Sequence, residues 1–197
     1  RLFLQCQMLT DITIPSSVTI IRNKAFSNCK SLVEITIPSS VTLIEREAFL
    51  DCFSLTKITL KCPIKSIEDE TFKECDSLVK IDLPPSLISI GRGAFCKCTL
   101  LNEIELPSTL RHINKSAFYQ CIKITKIEIP HLIDSIESYT FCNCLSLVDI
   151  TIPDSVCSID ESAFGSCTSL KNVTLPTTIT AIGNYSFEGC TSLVEIV

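Results

Sequence analysis

Phenylalanine stands at Phe3, Phe26, Phe49, Phe72, Phe95, Phe118, Phe141, Phe164 and Phe187, each 23 residues after the last, and a cysteine follows three residues later every time, from Cys6 to Cys190. A second column holds only isoleucine: Ile21, Ile44, Ile67, Ile90, Ile113, Ile136, Ile159 and Ile182. Aliphatic residues occur three, six and eight places after each Cys, as in Leu32, Ile35 and Ile37 after Cys29. Proline comes next at Pro15, Pro38, Pro84, Pro107, Pro130, Pro153 and Pro176, and only Lys61 breaks that column, with Pro63 two places on. An ungapped period of this kind reads as a solenoid, each unit one coil packed on its neighbours. One coil turns Leu32, Ile35, Ile37, Val41, Ile44, Ala48, Phe49 and Cys52 inward. A lone coil buries too little apolar surface to offset the ordering of its backbone. The expected folding unit is therefore the whole array, residues 1–197, with no internal linker.

Local signals divide each coil. The run Ser31–Ile37 ends in Ile-Thr-Ile alternation with β-branched residues, which predicts a short strand with Ile35 and Ile37 inward and Glu34 and Thr36 outward. Pro38 ends it, having no N–H for a ladder. Val41–Ile44 reads as a second short extended piece. Glu45–Cys52 lacks alternation and sets Ala48, Phe49 and Cys52 on one side, which predicts one helical or 3₁₀ turn. Equivalent strands are expected parallel and in register about 4.8 Å apart, so that the stack runs roughly 40 Å along its sheet.

The unit Cys-x-Ser-Leu-x-x-Ile-x-Ile-Pro-x-Ser-Val-x-x-Ile-x-x-x-Ala-Phe resembles the BspA-like subclass of leucine-rich repeats over the whole chain. It departs from the common leucine-rich repeat where an Asn ladder usually runs, since Pro and Ser occupy that stretch. The resemblance implies an α/β repeat solenoid: a curved, right-handed coil with a parallel sheet on the concave face and short strands and helical turns on the convex side. It also implies adhesion or protein binding, often at surfaces of bacteria and protozoa.

Composition narrows the function. An apolar content of 46% with a net charge of −5 excludes disorder, and the acidic balance without a basic block argues against nucleic acid. No apolar run approaches the length of a membrane span. The chain opens at Arg1 without a charged-then-apolar leader, so no address is read from it. The nine ladder cysteines read as small buried hydrophobes. Bridges between adjacent rungs are disfavoured, because parallel Cβ vectors stand farther apart than a disulfide allows. No Cys-x-x-Cys pair signals zinc, and no metal or cofactor is expected. Four further cysteines, Cys62, Cys96, Cys142 and Cys157, lie outside the ladder; one or both of Cys96 and Cys142 are candidates for exposure and oxidation. So many unpaired thiols point to a reducing compartment, against the cell surface that the resemblance implies. The sequons at Asn114, Asn172 and Asn184 are read as chance in a chain rich in Ser and Thr. The sharpest enzymatic reading pairs His131, aligned with Asp154 one coil on, with nearby Cys157; no motif supports it, and no catalytic residue is assigned.

Information for a partner must lie in the variable columns. One outward strand column reads Asp11, Glu34, Lys57, Lys80, Glu103, Lys126, Asp149, Asn172 and Glu195, and its neighbour reads Thr13, Thr36, Thr59, Asp82, Glu105, Glu128, Thr151 and Thr174. Lys57, Lys80, Asp82, Glu103, Glu105, Lys126 and Glu128 thus form a candidate protein-binding face that favours a ligand with basic groups, the alternative being an ordinary soluble sheet surface. A second, apolar candidate comprises Leu50, Phe53, Tyr119, Ile122 and Leu145, large groups where other copies carry small ones. Both ends lack a polar capping repeat, which invites pairing with another copy or marks repeats removed. The expected function is a non-enzymatic recognition or adhesion module; the alternative is an intracellular scaffold or regulatory subunit docking an enzyme such as a phosphatase.

Overall fold

The computed structural model describes residues 3–197. Two series of short parallel strands alternate along the chain. The first ladder comprises β2 (Glu34–Ile37), β4 (Lys57–Leu60), β6 (Lys80–Ile81), β8 (Glu103–Ile104), β10 (Lys126–Glu128), β12 (Asp149–Thr151), β14 (Asn172–Thr174) and β16 (Glu195–Ile196). The second comprises β1 (Ile20–Ile21), β3 (Leu43–Ile44), β5 (Ser66–Ile67), β7 (Ser89–Ile90), β9 (His112–Ile113), β11 (Ser135–Ile136), β13 (Ser158–Ile159) and β15 (Ala181–Ile182). Every pairing joins residues 23 apart, as in Ile35 with Ile58 and Ile136 with Ile159, so the repeat period is also the register.

The eight residues expected inward in one coil are all buried, and one core cluster continues through equivalent positions from Ile21 to Val173. The phenylalanine rings stack along it with centroids 5.1–5.6 Å apart. That pitch exceeds the about 4.8 Å between hydrogen-bonded strands.

The expected helical turns are absent: the chain is a parallel β-solenoid with no helix among the described residues, not an α/β fold. Left-handed backbone explains the difference. Every positive φ lies in one of two columns, Lys24 to Tyr185 and Gln5 to Gly189, and only Gly93 and Gly189 are glycines. In Glu45–Cys52, Glu47 and Asp51 both take φ 58°, which breaks a helix twice within eight residues. The run instead forms successive tight turns, with Leu50 N–H donating to Glu47 O and Cys52 N–H to Phe49 O. The N–H groups of Glu47, Phe49 and Asp51 then reach the next coil, at Asp69 O (2.9 Å), Thr71 O (3.0 Å) and Lys73 O (2.8 Å). A helix would turn these donors onto its own carbonyls; the left-handed residues cost about 1–2 kcal/mol each and return a continuous ladder along this turn arm.

Cysteine completes the arm. Each ladder thiol from Cys29 to Cys190 donates to the carbonyl of the phenylalanine 26 residues earlier, at 3.1–3.3 Å. The column is therefore buried, as expected, and also a row of hydrogen-bond donors, which a purely apolar reading omits.

The strand side is less regular. The first ladder divides into β2-β4-β6-β8 and β10-β12-β14-β16, and the second into β1-β3, β5-β7-β9 and β11-β13-β15. Lys61, standing in the proline column, donates its N–H to Ile37 O at 3.0 Å, and Cys62 is buried where other coils expose a residue. That altered turn lies between β3 and β5, one of the interruptions.

Candidate protein-binding face

All seven charged candidates are exposed on or just beyond adjacent first-ladder strands. The strand period puts them there, because Ile58, Ile81, Ile104 and Ile127 point the other way into the core. Lys57 stands opposite Lys80, and Lys80 opposite Glu103. The Lys80 Nζ lies 3.4 Å from a Glu103 carboxylate oxygen and 3.8 Å from Asp82, while Lys126 Nζ donates to Glu128 Oε1 at 2.7 Å. That hydrogen bond, with the charge attraction behind it, holds the Glu128 carboxyl below its ordinary range and raises Lys126. Among the described residues Glu105 joins no ion pair, although Asp82, Glu105 and Glu128 follow one another in one column.

Six of the seven, all but Lys57, line an open hollow of about 650 Å³ that extends from Lys80 to Glu128. Asn102 and Thr125 also line it. Strict alternation would turn their column inward, but it precedes the strand and is open to solvent, as Val33 and Val79 show. The signal was in the sequence, since that column mixes Thr, Val, Asn and Lys whereas the core columns of the strands, those of Leu32, Ile35, Ile37, Val41 and Ile44, hold only aliphatic residues.

The apolar candidates are more dispersed. Leu50 and Tyr119 are half-buried on the turn arm, Phe53 and Leu145 are exposed and Ile122 is half-buried. Ile122 and Leu145 occupy adjacent coils, but Asp76 and Thr99 fill the same column between Phe53 and Ile122.

Of the extra cysteines, Cys157 is exposed, whereas Cys62, Cys96 and Cys142 are buried at 1%, 8% and 8% exposure. The expectation of exposure at Cys96 or Cys142 is thus corrected: both sit in the turn arm, and loss of solvation raises both thiols. His131 and Asp154 are exposed, and the Cys157 thiol faces the Ser155 carbonyl at 3.6 Å; among the described residues no hydrogen bond or ion pair joins the three. Nor do any three His, Cys, Asp or Glu side chains among those residues converge as metal ligands. Asn114, in one sequon, donates its side-chain amide to Ile90 O at 3.0 Å.

Residues 1–121 and 89–197 match the profile of the BspA type leucine rich repeat region, which takes in the chain from end to end. Three solved structures are similar to it. A leucine rich cell surface protein from Faecalibacterium prausnitzii shares 31% identity at a TM-score of 0.65, over 91% of this chain and 42% of its own. A leucine-rich repeat protein from Bacteroides ovatus shares 29% at 0.70, over 91% and 52%. A leucine-rich repeat protein from T. pallidum shares 28% at 0.72, over 90% and 72%. The chain thus spans about half the length of the first two. No curated protein matches it in sequence.

Proposed function

The chain belongs to the BspA-type leucine-rich repeat family, and from that premise we propose that residues 1–197 act as one non-enzymatic, protein-binding module that engages its partner through the concave strand face. The supporting observation is the hollow between Lys80 and Glu128, where Glu105 lacks a cation of its own beside two further carboxylates. A partner segment bearing lysine or arginine supplies the missing charge. Recognition or adhesion at a surface fits the cell surface protein of F. prausnitzii.

A fluorescent peptide of alternating lysine and glycine, titrated in low salt, tests the reading. The double variant Glu105→Lys, Glu128→Lys is expected to bind at least about tenfold more weakly, a loss of roughly 1.4 kcal/mol, and added salt to weaken the unaltered protein. Equal affinity for both proteins removes the assignment.

A second reading, an intracellular scaffold docking an enzyme, draws support from the ladder thiols. Each donates its proton to a carbonyl and so requires the reduced form. Thiol titration of the native protein separates the two settings.

A further inference from the structure

We infer that the solenoid is hinged where β8 meets β10, its two halves pivoting on the turn arm so that the concave face opens and closes at its acidic centre. Among the described residues, only at this junction are both strand ladders interrupted together, between β8 and β10 and between β9 and β11. On either side the backbone bonds are present: Asn102 N–H reaches Val79 O at 3.1 Å and Val148 N–H reaches Thr125 O at 2.9 Å. Arg111 likewise reaches Ile88 O, and Cys157 reaches Asp134 O, both at 2.8 Å. Among the described residues no equivalent bond runs from Thr125 to Asn102 or from Asp134 to Arg111.

A third link fails at the same place. In neighbouring coils a Ser or Thr hydroxyl ties each coil to the preceding one, as Thr109 does to Leu87 O (2.7 Å) and Ser155 to Ile133 O (2.6 Å). Leu132 occupies that column here and has no hydroxyl to give. Across the gap Glu105 and Glu128 are column neighbours of like charge, which opposes closure.

The turn arm, by contrast, is unbroken. Ser116, Phe118 and Gln120 donate to Ser138 O, Thr140 O and Cys142 O at 3.0, 3.0 and 2.9 Å. Phe118 and Phe141 stack at 5.5 Å with 2° between their planes. Bonds on one side and none on the other make a hinge whose axis lies along the arm, and Ile104 and Ile127 stay buried beneath the gap. The functional consequence rests on the concave-face reading above: a basic segment lying across Glu105 and Glu128 offsets their repulsion and draws the halves together.

Amide hydrogen exchange on the full chain tests the hinge without any ligand. Protection at Thr125, Asp134 and Glu137 is expected at least about tenfold below that at Val148, Cys157 and Asp160, one coil on. Equal protection overturns the proposal. Leu132→Ser supplies the missing hydroxyl for Leu110 O and is expected to slow exchange at Asp134; a variant as fast as the parent counts against the hinge. The lysine-glycine peptide is then added. Raised protection confined to the junction supports closure by the ligand, and binding that leaves it unchanged refutes that coupling. Failure of the peptide to bind defeats the concave-face reading and leaves the hinge to stand or fall on the free protein.

Discussion

The junction at Gly91 and the junction between β8 and β10 are built from the same repeat, yet they close in opposite ways. At the first, Gly91 N–H meets Ile67 O at 2.7 Å and Arg92 N–H meets an Asp69 carboxylate oxygen at 2.7 Å. At the second, neither strand ladder is bonded. The spacing of the turn arm does not register the difference: Phe72–Phe95 and Phe118–Phe141 both stack at 5.5 Å, with 18° and 2° between their planes. The uniform columns therefore set the spacing of the arm, and the variable columns decide how tightly the strands follow. At the open junction the arm keeps the coils stacked where the strand ladders do not.

Raising the pH attacks what both junctions share and carries the largest expected effect. Burial pushes the Cys29 thiol up to about 12 and raises Cys75, Cys98, Cys121, Cys144 and Cys167 as well. An unfolded thiol ionises near its ordinary value, so above about pH 8.5 the unfolded chain binds fewer protons than the folded one and stability falls as pH rises. Each such thiol costs about 1.4 kcal/mol per pH unit, so the last five together cost about 7 kcal/mol per unit. Urea unfolding in a reducing buffer is expected to be level to pH 8 and to collapse between pH 9 and 10. A flat profile there contradicts the buried, protonated ladder.

Next in size is loss of a ring from the arm. Phe118→Ala and Phe72→Ala each leave a cavity in the same stack and are expected to cost about 3–5 kcal/mol. The shape of the transition distinguishes them. Around Phe72 the first strand ladder still ties the coils, so one transition is expected with a lowered midpoint. Beside Phe118 the arm is the main tie, and unfolding is expected to split into two phases, one for each half. Identical single transitions for both variants would show that the strand side contributes nothing to the contrast.

The fold was legible to the depth at which one residue decides one feature. Ile35 and Ile37 placed β2, Pro38 ended it, and the 23-residue period gave the register of every pair. Glu45–Cys52 was misread because a turn with left-handed residues sets Ala48, Phe49 and Cys52 on one side just as a helical turn does. The column of Glu47 also holds Lys, Ser and Tyr, so its backbone need shows only where Gly93 occurs. Cysteine's burial was readable from its recurrence, but its donor role depends on a carbonyl one coil away. The charged residues of the first strand ladder fell on its exposed face, where alternation placed them. The gap between Glu105 and Glu128 was not foreseen: Leu132 announces one lost hydroxyl bond, whereas ladder closure depends on how every side chain in two coils shares the space.

The smallest effect tests the tight junction directly. A Cβ at position 91 would lie 2.6 Å from the Asp69 backbone nitrogen and 2.7 Å from the Glu68 carbonyl carbon, so Gly91→Ala must push β7 away from β5. Overpacking of this kind costs about 1–3 kcal/mol. Gly93 supplies the control, because its φ of 59° is shared by side-chain-bearing residues in the same column, and a Cβ there meets nothing nearer than 3.5 Å. Gly93→Ala is therefore expected to cost only the about 1–2 kcal/mol of its left-handed backbone, with no loosening of the junction. Exchange at the amide of residue 91 should quicken in Gly91→Ala alone, turning a closed junction toward the open state of its neighbour. If both variants lose the same small stability and keep that amide protected, close approach at Gly91 does not distinguish the two junctions, and the cause of the open one must be sought in Glu105, Glu128 and Leu132 themselves.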